Sequence, residues 1–181
     1  MAAPDGDSHN DEGYLKFSLS WEESEIQIPE SLFMQLQAWR DRLYAVGLIG
    51  AYPDGIGFGN ISIRAPDTSG APDGRKVPAA RQGTTCFYIT GSATGIHDHL
   101  SRQHYALVTE YSLERNTLAC RGLAKASSES LSHAAIYEAA PWVQGVIHIH
   151  SARLWNASRD RLPTTPGECT YGTPEMALAL K

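Results

Sequence analysis

Two histidines at alternate positions are the sharpest chemical feature of the sequence. His148 and His150 end the run VQGVIHIH (143–150), which we predict to be a buried strand. Side chains at i and i+2 of a strand point to the same face, so the two imidazoles could converge on one divalent ion. A pair of strand-end histidines that only hydrogen-bond to their neighbours has the same spacing. The pair alone leaves both interpretations open.

A glutamate is expected to lie near these histidines. Glu129 precedes His148 by 19 positions, the length of a helix and a short turn. A carboxylate beside a metal ion can act as a general base. An ordinary glutamate in a first helical turn, which complements the helix dipole, is the alternative. His133, at i+4, could hydrogen-bond to Glu129 or simply pack.

Three short turns offer donors for an anion. They are Gly59 with Asn60, the segment TGSATG (90–95), and Ser127 with Ser128. Backbone N–H groups and hydroxyls at strand ends and helix starts bind phosphate. Each turn is a weak signal alone, because glycine and serine are common in all turns. Their occurrence together with the histidine pair gives them weight.

The other histidines carry little functional signal. His97 and His99 repeat the His-x-His spacing, but their segment is polar and has no apolar β-type neighbours. His104 and His9 have no group of potential ligands around them. All four are predicted to be surface residues.

The elements that must position these residues follow from the apolar periodicity. Apolar residues at spacings of three and four predict a core-packed helix from Pro29 to Val46, with Trp39 and Val46 on its apolar face and Gly47 as its carboxyl cap. The other predicted elements are strands at 59–64 and 86–90 around a long loop (65–83), a hairpin at 104–121 turning near Arg115 and Asn116, a helix from Ser127 to Pro141, the strand at 143–150, and a helix starting at Thr173 and Pro174.

Composition limits the class of protein. The 181 residues, 42% of them hydrophobic, suit one domain, which we place at 14–181 after a disordered acidic tail at 1–13. The net charge of −5 gives no general attraction to nucleic acid or to anionic membranes. The sequence has neither an 18-residue apolar run nor a signal-peptide start, which predicts a soluble, cytoplasmic protein. The three cysteines are predicted to be reduced thiols.

Four motifs, in this order, resemble one known family. They are GNIS (59–62), ITGSATG (89–95), SSE (127–129) followed by His133 and Tyr137, and VIHIHS (146–151). The resemblance is to the class II aldolase/adducin family, whose members include fuculose-phosphate aldolase, ribulose-phosphate 4-epimerase and methylthioribulose-phosphate dehydratase. It extends from about residue 30 to the carboxyl end, where PTTP and YGTPEMA also match family segments.

The resemblance implies a fold, an assembly and a site. The fold would be an α/β, three-layer α/β/α sandwich around a largely antiparallel sheet, and the assembly a homotetramer with active sites between subunits. His148 and His150 would bind a divalent ion, most simply Zn²⁺, and Glu129 would be the catalytic acid/base. The residues implied to hold the substrate phosphate are Gly59, Asn60, Ser92, Thr94, Gly95, Ser127 and Ser128.

The chemistry implied by the resemblance is retro-aldol cleavage of a small ketose phosphate. The metal would chelate the carbonyl and the adjacent hydroxyl and stabilise the enediolate formed as the carbon–carbon bond breaks. Glu129 would move the proton. An epimerase or dehydratase of the same family is an alternative, and so is a non-catalytic oligomerisation module, like the adducin head, that has lost its metal site.

Two departures from the family pattern qualify these expectations. Family enzymes have a third histidine ligand several dozen residues after the His-x-His pair, but here only 31 residues follow His150 and none is histidine. This predicts either a fragment of a longer enzyme or a weakened metal site. The segment ITGSATG is one residue longer than the Thr-Pro-Ser-Gly loop common in sugar-phosphate enzymes. The anion pocket could therefore differ in shape and accept a substrate without phosphate.

Overall fold

The structure is a computed structural model that describes residues 15–66, 85–159 and 161–181. The predicted tail at 1–13 and nearly all of the predicted loop at 65–83 lie outside these residues. Within them, no helix has the length and apolar character needed to cross a membrane. All three cysteines are free thiols, as predicted.

Six strands form one sheet in the order β1-β7-β6-β5-β4-β8. The strands are β1 (Ser18–Glu23), β4 (Asn60–Arg64), β5 (Phe87–Thr90), β6 (Tyr105–Ser112), β7 (Thr117–Gly122) and β8 (Gly145–His148), and a separate two-stranded ribbon joins β2 (Gly50–Ala51) to β3 (Gly57–Phe58). Only the β1–β7 pair is parallel. The predicted α/β class with a largely antiparallel sheet is confirmed, whereas the three-layer arrangement stays a prediction.

The described parts of the chain contain four α-helices. They are α1 (Glu30–Ala45), α2 (Ser130–Ala139), α3 (Ala152–Ser158) and α4 (Pro174–Leu180). The predicted start of α4 is confirmed: Thr173 is the N-cap residue, whose side chain accepts a hydrogen bond from the backbone N–H of Met176, and Pro174 is the first helical residue. The predicted hairpin is also confirmed: β6 and β7 are joined by a turn in which Asn116 has φ +51°. Strand β1 and helix α3 were not predicted.

The core divides according to the alternation of side chains along β5. Phe87 and Ile89 belong to a buried cluster that includes Leu131 of α2, whereas Tyr88 belongs to a second cluster that includes Leu36 of α1. Successive side chains of a strand point to opposite faces, so one strand serves both clusters. β5 is buried along its whole length.

Helix α1 confirms the predicted span but not the predicted core face. It follows Pro29, and Gly47 just beyond it has φ +70°, the left-handed conformation of a helix-ending glycine. Trp39 and Val46 are 51% and 68% exposed, so their assignment to the core was wrong. The sheet covers a narrower stripe of the helix, whose buried members are Leu36 and Arg40.

The last strand is shorter and less buried than predicted. β8 covers 145–148 rather than 143–150, and it lies at the sheet edge with Ile147 exposed. Its pairing with β4 ends at Asn60 and His148, because the preceding Gly59 has φ +73° and turns the chain out of the ladder. The backbone N–H of His150 then donates to the Leu48 carbonyl. His150 is therefore beyond the strand, not within it.

We expect Leu131→Ala in α2 to lower the free energy of unfolding by about 2–5 kcal/mol, because it leaves a cavity in the core. The measurement is urea denaturation of the full chain. Leu178→Ala in α4 is the matched control, since Leu178 is exposed and should cost less than about 1 kcal/mol. Equal losses in the two variants would contradict this description of the core.

Candidate functional site

One cavity of about 200 Å³ lies where β4 begins and β8 ends, between the ribbon and the amino end of α2. All ten predicted site residues line it: Gly59, Asn60, Ser92, Thr94, Gly95, Ser127, Ser128, Glu129, His148 and His150. The other lining residues are Gly57, Phe58, Gly91, Ala93 and Tyr171. The structure thus brings the histidine pair, the glutamate and the three turns together, while their individual roles remain predictions.

The two histidines lie side by side, each with a polar neighbour. Their ring centroids are 4.8 Å apart. The side-chain nitrogen of Asn60 lies 3.2 Å from Nδ1 of His148, and the Tyr52 hydroxyl lies 2.8 Å from Nδ1 of His150. Metal-ligating histidines are typically oriented in this way by a hydrogen bond at the ring nitrogen that does not bind the metal. Sequence reasoning missed Tyr52, which has no local motif.

The two histidines are the right kind of ligand for a zinc-group ion, but two ligands are too few. Imidazole nitrogens are preferred ligands of such ions, and structural or catalytic zinc sites use at least three protein ligands. In residues 15–66, 85–159 and 161–181, no group of three or more His, Cys, Asp or Glu side chains is placed to hold a metal. The described residues thus provide a two-imidazole half-site.

Glu129 lies at the N-cap of α2, immediately before its first turn. Its Oε2 accepts a hydrogen bond of 2.7 Å from the Ser132 hydroxyl. Between His133 and Glu129 the structure shows a backbone hydrogen bond, in which the His133 N–H donates to the Glu129 carbonyl at 3.2 Å, rather than the considered bond between the side chains. Nδ1 of His133 is instead 2.7 Å from the Ser62 hydroxyl, on the sheet side of the helix.

A buried polar network lies between α2 and β4. Ser62 Oγ contacts both Nδ1 of His133 and the Tyr137 hydroxyl, which is 2.8 Å away. Burial, together with the nearby His148, lowers the pKa of His133 to about 3, and burial raises that of Tyr137 to about 12. The network is therefore uncharged at neutral pH, so α2 is joined to the sheet without a buried charge.

The serine turn at the start of α2 is largely buried. Ser127 and Ser128 are 6% and 9% exposed. Ser127 Oγ accepts from the backbone N–H of Glu129, while the Ser127 carbonyl accepts from the Ser130 hydroxyl at 2.6 Å. These bonds fix the turn with the amino end of α2 at the cavity, where the helix dipole favours negative charge.

The turn after β5 is held by its own backbone. The N–H groups of Gly91 and Ser92 donate to the carbonyls of His104 and Lys125. The Thr94 hydroxyl donates to the Gly91 carbonyl at 2.8 Å. Because the amide of Ser92 is engaged, Ser92 can offer the cavity its hydroxyl rather than its N–H.

Gly95 packs against the ribbon without any side chain between them. A Cβ at Gly95 would lie 2.0 Å from the Gly50 carbonyl oxygen and 2.8 Å from Cα of Gly57. Three glycines therefore allow two backbones to touch, and this contact forms one wall of the cavity.

The charge inside the cavity is sparse. Among its lining residues in the described parts of the chain there is no Lys or Arg, and Glu129 is the acidic one. An anion bound there would depend on hydroxyls, backbone N–H groups and the amino end of α2.

Three further histidines, His97, His99 and His104, are outside the cavity lining. His97 and His99 are exposed, as predicted. His104 is half-buried rather than at the surface, because its Nδ1 accepts from the backbone N–H of Ser101 and its ring packs on that of His97. His9 lies outside the described residues.

A comparison with protein families gives a decisive match. The model for the class II aldolase and adducin N-terminal domain matches residues 54–179, which include every predicted site residue. The chain belongs to this family. A comparison of this chain with curated proteins found no match. The family match establishes family membership, while the choice among the family's activities depends on the site itself.

We expect Gly95→Ala to lower the free energy of unfolding by about 1–3 kcal/mol, because the new methyl group would collide with the Gly50 backbone. Urea denaturation measures the loss. Gly167→Ala is the control, since no atom lies within 4 Å of a Cβ there and the change should stay below about 1 kcal/mol. A stable Gly95→Ala variant would contradict the backbone contact.

Proposed function

We propose that this domain is a metal-dependent, aldolase-type lyase that cleaves a small sugar phosphate. The observation that carries the proposal is that two imidazoles, one carboxylate and three turns rich in glycine and serine line a single cavity of about 200 Å³. That volume suits a small polar metabolite rather than a large cofactor. Family membership supports the same class of chemistry.

In this proposal His148 and His150 hold a divalent ion of the zinc group. Asn60 and Tyr52 orient the two rings through their Nδ1 atoms. A bound ion would polarise the substrate carbonyl and the adjacent hydroxyl. Since the described residues give two ligands, oxygen atoms of substrate or water, or a further protein group, must complete the coordination.

Glu129 is the proposed acid/base. A carboxylate oxygen takes the proton from the hydroxyl on the carbon that becomes the aldehyde when the carbon–carbon bond breaks. It then returns a proton to the carbon of the other fragment, the enediolate. The hydrogen bond from Ser132 to Oε2 holds the carboxylate at the cavity. Glu129 is the N-cap residue of α2, so its carboxylate lies near the positive end of the helix dipole.

The substrate phosphate is proposed to bind at the three turns. Ser127 and Ser128 lie at the amino end of α2, and the segment 92–95 and the Gly59–Asn60 turn complete the cavity wall. Neutral donors of this kind bind phosphate without a lysine or arginine in contact.

Association of several copies is also part of the proposal. Trp39, Trp142, Ile147 and Trp155 are large apolar side chains that are 43% to 77% exposed. Large exposed apolar side chains are typical of surfaces that contact other proteins, and they support the homotetramer that the resemblance implies.

A non-catalytic module is the second candidate. The observation that favours it is the incomplete set of metal ligands among the described residues. The oriented histidine pair argues against it, because a structural module has no need for two imidazoles at one cavity. Metal content and turnover separate the two candidates.

We expect protein purified without added metal or chelator to carry about one zinc-group ion per chain, and His148→Ala to lose it. Elemental analysis by mass spectrometry measures the content. His99→Ala, which removes an exposed histidine of another His-x-His pair, should leave it unchanged. A metal-free wild-type chain would favour the non-catalytic module.

We expect Glu129→Gln to reduce kcat on accepted ketose phosphates by about 100-fold or more, because the amide cannot take up a proton. Release of aldehyde products from a panel of ketose phosphates measures the rate. Glu138→Gln, in the same helix but away from the cavity, is the matched control. Products of unchanged mass would indicate an epimerase, products lighter by one water a dehydratase, and unchanged turnover in Glu129→Gln would refute the assigned role.

A further inference from the structure

Arg40 is a buried arginine that does not line the candidate-site cavity but contacts the turn that forms one wall of this cavity. Arg40 lies in the middle of α1 and is only 1% exposed. Its guanidinium packs 4.3 Å above the ring of Tyr44. Arginine is seldom buried to this extent, because removing its charge from water is costly.

All the hydrogen-bond acceptors of Arg40 come from one short segment. Nη1 donates to the carbonyl of Asp98 at 2.6 Å, and Nη2 donates to the carbonyls of His97 and Thr94. The segment begins with the 3₁₀ turn Thr94–Ile96, which contributes Thr94 and Gly95 to the cavity. One side chain of α1 therefore contacts three peptide groups of the 94–98 segment, of which Thr94 and Gly95 line the cavity.

The contact of Arg40 with the Thr94 carbonyl affects the cavity through the Thr94–Gly95 peptide group. The carbonyl of one residue and the N–H of the next point in opposite directions. The Thr94 carbonyl accepts both from Nη2 of Arg40, at 3.4 Å, and from the backbone N–H of His97, at 3.3 Å, so Arg40 helps to set the direction of the Gly95 amide. The same glycine is pressed against Gly50 and Gly57 of the ribbon, so this wall is held from two sides.

Stability alone is a poor reason for this arrangement. Burial lowers the pKa of Arg40 from its ordinary value, and the nearby carboxylates of Asp41 and Asp98 act in the opposite direction. A well-packed apolar side chain at such a position is commonly at least as stabilising as a buried charge. The apolar replacement, however, cannot hold three carbonyls in fixed directions.

We propose that Arg40 is a positioning residue that fixes the 94–98 segment and thereby sets the affinity of the cavity for an anionic substrate. It acts through the backbone and does not touch the substrate. The proposal rests on the proposed function in one respect, namely that the cavity binds a phosphate group.

The test compares Arg40→Lys with Arg64→Lys in the full chain. Lysine keeps the charge but cannot donate to several carbonyls in the fixed geometry of a guanidinium. Arg64 is a close match: it donates to the carbonyls of Val143 and Tyr137 and stacks on the Tyr137 ring, but it lies outside the cavity lining. Arg40→Gln serves as a second variant if lysine prevents folding.

Two measurements are made on each folded variant. Calorimetric titration with inorganic phosphate gives the dissociation constant, and hydrogen–deuterium exchange of peptides covering 91–98 and 142–146 reports backbone opening without ligand. In Arg40→Lys we expect phosphate binding to weaken by about tenfold or more and exchange to accelerate at 91–98 only. In Arg64→Lys we expect exchange to accelerate at 142–146 and phosphate binding to change by less than about twofold.

Unchanged exchange at 91–98 in Arg40→Lys would overturn the positioning role, and so would equal weakening of phosphate binding in the two lysine variants. Unfolding of both Arg40 variants would also overturn it, because Arg40 would then be required by the whole fold. A wild-type chain that does not bind phosphate would refute the phosphate site, and the exchange data would still decide whether Arg40 fixes the segment.

Discussion

The β4–β8 pairing is the interaction on which the candidate site depends. It places Asn60 opposite His148, although 88 positions separate them along the chain. The ladder ends there because Gly59 turns away with φ +73°, which leaves His150 to continue toward the ribbon rather than along the sheet. The edge strand therefore provides the His148 imidazole, and the chain just beyond its end provides that of His150. The other cavity walls approach this edge from α2, the ribbon and the turn after β5.

Polar contacts rather than apolar ones join helix α2 to strand β4. Ser62 of β4 bonds to His133 and Tyr137, which lie one helical turn apart. A hydrogen-bonded network of this kind is directional, whereas apolar packing tolerates sliding. The network thus sets the height of α2 along β4, and with it the position of Glu129 at the start of the helix. The cost of burying these groups is limited because all three are uncharged.

The sequence predicted which residues lie together at the cavity better than it predicted the packing. The four motifs, read together as a family pattern, pointed to ten residues from distant segments that all line one cavity, while the role of each stays a prediction. The exposure of Trp39 could not be predicted, because periodicity shows that a helix has an apolar stripe but not how much of it the sheet covers. The end of β8 depends on pairing with a distant strand. Tyr52 and Arg40 act through contacts that no local pattern records.

The contact of Gly95 with Gly50 and Gly57 means that part of the cavity is shaped by main chain alone. Such a wall can be neither trimmed nor extended by exchanging side chains. Any remodelling of the cavity for a larger or smaller molecule must therefore use the residues that do present side chains, such as Phe58, Ser92 and Tyr171. The cavity thus has one wall of backbone that side-chain exchange does not change and a few lining side chains that it does change. These side chains are the starting points for redesigning selectivity.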